Sequence, residues 1–117
     1  GPRWPWPSTE PQPSFGGEVD ANGWLKEHPL RARFSYTVGS KENLNDQERR
    51  RRLDKALTTP DNPLSLSEVV NHLAGQVRLK KRDTSRDLSE AISKWERDLA
   101  YLKDKYYRNQ FFWPATE

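Results

Sequence analysis

Leu88, Ile92, Trp95, Leu99, Leu102 and Tyr106 are separated by 4, 3, 4, 3 and 4 residues. At 3.6 residues per turn that spacing lays their side chains along one stripe of an α-helix. The predicted helix runs from about residue 86 to 108, and Ala91 widens its apolar face. A single stripe of this length is the spine of a small bundle more often than a free coiled coil. Trp95 is expected to be buried along it. Phe111, Phe112 and Trp113 follow, and Pro114 ends the run. Those aromatics are expected to fold back onto the core.

Two further helices carry their own start signals. Ser65-Leu66-Ser67-Glu68 is a capping box, and Leu64 with Val69 suits the hydrophobic staple that goes with it. Leu66, Val69, Val70, Leu73, Ala74 and Val77 then keep helical spacing, which predicts a helix over 66–81. Asn45 caps an earlier one, with Glu48 three residues on and Pro60 beyond its end. That helix covers about 46–58, with Leu53, Ala56 and Leu57 as a narrow apolar face. The fold class expected is mainly α: a three-helix bundle, a short extended segment and an N-terminal arm.

The arm is residues 1–17, which hold five prolines together with Trp4 and Trp6. Proline fixes φ and lacks a backbone donor, so an extended, disordered arm is expected. The helical domain then covers 18–114. Within it, Asp20 suits the cap of a short helical turn holding Trp24 and Leu25, which Pro29 would end. Ala32, Phe34, Tyr36 and Val38 alternate with Arg31 and Arg33, the pattern of a short strand. No partner strand is evident, so the alternative is an extended segment lying on the helices.

Composition narrows the chemistry. With no cysteine in 117 residues, disulfides, thiolate-ligated zinc and thiol nucleophiles are excluded. His28 and His72 are the only histidines, and neither falls in a catalytic or metal-ligating motif. Gly16-Gly17 and Gly39-Ser40-Lys41 match no phosphate-cradling fingerprint and read as turns. No cofactor, metal site or enzymatic activity is expected. Glu90, Glu96, Asp98 and Asp104 read as the solvated face of the last helix, with Glu90–Lys94 and Lys94–Asp98 as i,i+4 pairs. No apolar run approaches the ~20 residues that span a bilayer, so no membrane partner and a cytoplasmic location are expected. Gly1-Pro2 resembles a protease-cleavage scar, which would make this chain a piece of a longer protein.

Charge is distributed unevenly. Residues 49–86 carry ten basic groups against four acidic ones. Arg49 to Arg52 occupy one helical turn and point in several directions, and Glu48–Arg52 and Arg50–Asp54 pairs neutralise part of them. Arg78, Lys80, Lys81, Arg82 and Arg86 surround one predicted helix–helix corner. Joined in space by Arg49, Arg52 and Lys55, that corner would attract the phosphates of a nucleic acid without choosing a sequence. A helix–turn–helix fits less well. The connector from Thr58 to Leu64 is long and holds two prolines, and Glu68, Asn71, His72 and Gln76 are a poor base-reading set. The other function class is a protein-interaction module. It would dock a protein partner, or the rest of its own parent chain, through Trp4 and Trp6 or through Phe111, Phe112 and Trp113.

The order Tyr36-Thr37-Val38-Gly39, Glu48-Arg49-Arg50 with Leu53, Ala91-Ile92 with Trp95, Asp98-Leu99, Leu102, Tyr106-Tyr107 and Phe112-Trp113-Pro114 spans residues 34–114. It resembles a helical region of bacterial multidomain and standalone proteins, including restriction or defence-type systems. That region has a longer segment between its first two helices, which this chain lacks. The resemblance implies an accessory domain of a bacterial cytosolic protein and transfers no functional residues.

Overall fold

Backbone donors and acceptors settle first the segment that the sequence left ambiguous. In the computed structural model, which describes residues 18–19 and 25–117, the strands β1 (Glu18–Val19) and β2 (Leu25–Lys26) pair antiparallel. Leu25 thus belongs to a hairpin and not to a helical turn. Asp20, Trp24 and the whole arm of residues 1–17, with Trp4 and Trp6, lie outside the described residues.

Pro29 opens a helix where the sequence pattern suggested it would close one. Helix α1 (Pro29–Phe34) has Pro29 in its first turn, where the missing N–H costs nothing. The Nδ1 of His28 caps it by accepting from the Leu30 N–H at 3.1 Å. The strand expected over 31–38 is therefore corrected. Without a partner strand the backbone groups of 30–36 satisfy one another locally, the Ser35 N–H bonding to the Arg31 carbonyl and the Tyr36 N–H to the Leu30 carbonyl. Ser35 takes a left-handed conformation at the helix end (φ 57°). Residues 35–39 have no regular structure and carry Tyr36, buried, and Val38, half-buried, across the bundle.

The bundle proper consists of α2 (Asp46–Thr58), α3 (Leu66–Arg82) and α4 (Ser89–Tyr106). Asn45 and Ser65 cap α2 and α3, each accepting from the N–H three residues on. Helix α4 starts three residues later than its apolar stripe suggests. Asp83 and Asp87 accept from the backbone and hydroxyl groups of Ser85 and Ser89, which stabilises turns in competition with the helix.

Helix α4 runs antiparallel to α3 and parallel to α2. The first relation follows from the short connection and the Lys81–Glu96 pair. The second follows from Asp46 meeting Arg97 and Asp54 meeting Lys105. Leu53, Val69, Val70, Leu73, Val77 and Leu102 are enclosed between the three helices. Of the α4 stripe, Leu99 and Leu102 are buried, whereas Trp95 is only half-buried.

Candidate functional site

Three polar clusters and one aromatic segment stand out, and two of the clusters are structural. At the centre, the Asp98 carboxylate accepts from the Arg49 Nε at 2.8 Å and from the Tyr36 hydroxyl at 2.6 Å. Asp98 and Arg49 have no exposed surface. Asp46, which bonds the same guanidinium, is also held by Arg97. Burial and the adjacent Asp98 carboxylate push the Tyr36 phenol well above its usual range. Asp98 is thus no part of a solvated face, and its expected partner Lys94 pairs instead with Glu90 (3.5 Å).

The same burial corrects the expected phosphate-binding set. Arg49 is sealed inside the protein and cannot reach a ligand. Arg52 bonds Glu48 at 2.9 Å and the Ser35 carbonyl at 2.8 Å, tying α2 to the end of α1. Lys55 is exposed at the opposite end of the bundle from Arg78–Arg86. The Leu64 N–H bonds the Ala56 carbonyl, so Lys55 lies beside the start of α3. The fourteen residues from Leu64 to Arg78 cover about 21 Å at 1.5 Å per residue. The structure does not gather the two basic groups into one patch.

The corner itself is partly engaged. Arg78 donates to the Ala115 carbonyl, Lys81 pairs with Glu96 at 3.1 Å, and Arg86 reaches Asp83 at 3.4 Å. Lys80 and Arg82 make no ion pair among the described residues. Exposed pairs of this kind are weak, so these cations remain open to competition by an anion.

Between α2 and α4, Asp54 accepts from Tyr101, Tyr106 and Lys105 at 2.6–3.2 Å. Burial acts to raise its pKa, but the two hydroxyls and the ammonium outweigh it and hold the carboxyl below its usual range. Arg50, expected to pair with Asp54, lies instead 5.0 Å from the Tyr101 ring centre. His72 stacks on His28 with ring centroids 3.8 Å apart. Burial, reinforced by His28, pushes the His72 imidazole down to about 4. Among the described residues no group of three or more His, Cys, Asp or Glu is placed to hold a metal ion, and no helix is long and apolar enough to cross a membrane.

The aromatic segment is organised differently. Asn109 takes a left-handed conformation (φ 62°), which turns the chain after α4 back along the bundle. Tyr107 then packs edge-on against Trp113 with centroids 4.8 Å apart, and lies 5.1 Å from Phe111. The Tyr107 hydroxyl donates to the Phe111 carbonyl, and the Lys103 ammonium sits 5.3 Å from the Trp113 ring centre. Phe111 and Trp113 pack on the core as the sequence suggests. Phe112 does not: pinned between two anchored neighbours, it is 94% exposed. The neighbouring Trp113 lines an open depression of about 240 Å³ together with Glu96, Leu99, Ala100, Lys103 and Thr116.

Sequence reasoning missed the Arg49–Asp98–Tyr36 cluster, the His28–His72 stack and this depression. An acidic residue directly beside the apolar stripe, at Asp98, was the available signal for the first. Nothing local marks the other two.

No family model, curated protein or solved structure matches this chain. Function is therefore read from geometry and chemistry alone.

Proposed function

We propose that this chain is a non-catalytic docking domain that binds a protein partner through Phe112 and the depression lined by its neighbour Trp113. The carrying observation is the exposure of Phe112, 94%, on a segment whose other aromatics are packed down. A large apolar ring held in water by a rigid backbone gains the most when a partner covers it, and aromatic residues dominate interface energetics for that reason. The fixed segment also lowers the ordering cost of association. The test is photo-cross-linking in cells from a benzophenone side chain at position 112. A discrete protein adduct from 112, with none from the neighbouring Asn109 turn, is expected. No adduct from 112 overturns the reading.

A second reading, contact with nucleic acid, is favoured by one observation: among the described residues, Lys80 and Arg82 have no acidic partner at the end of α3. Binding of duplex or single-stranded DNA would then weaken steeply with salt and fall further in Lys80→Gln/Arg82→Gln. Absence of binding at low salt removes this reading.

A further inference from the structure

The outward face of α4 carries a charge pattern that matches its own reverse. Glu96, Arg97, Ala100, Lys103 and Asp104 are all exposed, and their spacing places them on one stripe. Along each edge of the stripe the charge changes sign on passing Ala100. Glu96 and Lys103 lie four residues before and three after it, and Arg97 and Asp104 three before and four after. We propose that the docking partner is a second copy of this chain, with two α4 helices packed antiparallel about Ala100. This rests on the docking reading above and names its partner.

The two-fold arrangement sets every charge on the stripe against one of opposite sign, Arg97 in addition to the Asp46 that it already holds at 3.1 Å. Lys103 of each copy faces Glu96 of the other, and Arg97 faces Asp104, so four complementary contacts form at once. Glu96 meets Lys81 through Oε2, which leaves Oε1 for a second cation, and Lys103 has no ion pair among the described residues. The alanine methyl at the crossing point permits close helix approach, at the short end of the 8–10 Å range.

The aromatic segment fits the same geometry. Phe112 adjoins Trp113 at the Lys103 end of the depression. The two-fold axis carries that end to the Glu96 end of the other copy, so each Phe112 approaches the other's depression. An apolar cavity of roughly 150 Å³ takes up a benzene ring, so about 240 Å³ admits a phenylalanine side chain.

The absence of cysteine in the native chain makes the test simple. Ala100→Cys places one thiol at the proposed axis, and Arg82→Cys places one at a remote exposed site. Under mild oxidation Ala100→Cys is expected to form a disulfide dimer at least tenfold faster than Arg82→Cys. Equal rates overturn the proposal. Sedimentation of the cysteine-free chain gives an independent check. A concentration-dependent dimer is expected, weakened at least tenfold in Glu96→Lys and regained in Glu96→Lys/Lys103→Glu, with circular dichroism melts verifying folding. A dimer indifferent to both changes, or a monomer throughout, contradicts it. The position-112 cross-link separates the two levels. An adduct at twice the chain mass supports the second copy, an adduct of any other mass overturns the second copy but keeps the docking reading, and no adduct removes both.

Discussion

The Arg49 guanidinium and the Asp98 carboxylate meet at 2.8 Å with neither side chain exposed to solvent, joining α2 to α4 across 49 residues of sequence. The Tyr36 hydroxyl completes the cluster and fastens the segment after α1 to the same carboxylate. Removing one partner from such a pair strands a buried charge. Asp98→Ala is therefore expected to cost about 3–5 kcal/mol, more than the net worth of the pair. Arg49→Met/Asp98→Leu, which removes both charges, should recover most of that loss. Urea melts of the single and double variants measure it. A double variant as unstable as Asp98→Ala would show that the pair contributes beyond mutual neutralisation.

Acid should loosen the α1 end of the domain. The His72 imidazole falls from 6.5 in the unfolded chain to about 4 in the folded one, chiefly through burial and then through His28. Between those values the unfolded chain binds more protons than the folded chain. Stability is thus full above about pH 6.5 and declines as pH falls towards 4, by at most roughly 3 kcal/mol from this group. Chemical melts at pH 7 and pH 4.5 check the slope. His72→Phe, which keeps a ring on His28 but cannot titrate, should remove most of it, and an unchanged slope would place its origin elsewhere.

The core is graded along α4. Leu102 is fully enclosed, and Leu102→Ala is expected to cost about 2–5 kcal/mol. Trp95 is only half-buried, so Trp95→Ala should cost less than the roughly 3–5 kcal/mol typical of enclosed aromatics. Thermal or urea melts rank the two. A larger loss at Trp95 than at Leu102 would contradict the packing described.

Helix α3 depends on its first turn. The Ser65 hydroxyl accepts from the Glu68 N–H, and Ser65→Ala should lower stability by about 1 kcal/mol, measurable by the same melts. Ser65→Asp should restore it, because aspartate both caps and complements the helix dipole.

These helices were legible for a physical reason. Asn45 with Glu48, Ser65 with Glu68, and the apolar periodicities are local signals, and the observed bounds of α2 and α3 follow them. Helix α1 was not legible because Pro29 ends a helix before it and begins one after it with equal ease. Choosing between those needs the hairpin of Glu18–Val19 with Leu25–Lys26. The charged residues were read least well. Whether Arg49 faces water depends on Asp98, and whether Arg78 and Lys81 are engaged depends on Ala115 and Glu96, all remote in sequence. A basic cluster counted along the chain says little about the surface it makes. The exposure of Phe112 was equally hidden, because Phe111, Phe112 and Trp113 look alike until the Asn109 turn decides which of them face inward.

The most direct measurement is to recover three chains from fixed cells side by side: wild type, Phe112→Ala and Lys80→Gln/Arg82→Gln. If the working surface is the aromatic segment, the protein partner co-recovered with wild type is lost from Phe112→Ala and retained by the charge variant. Retention by Phe112→Ala, together with nucleic acid that only the charge variant loses, would contradict it.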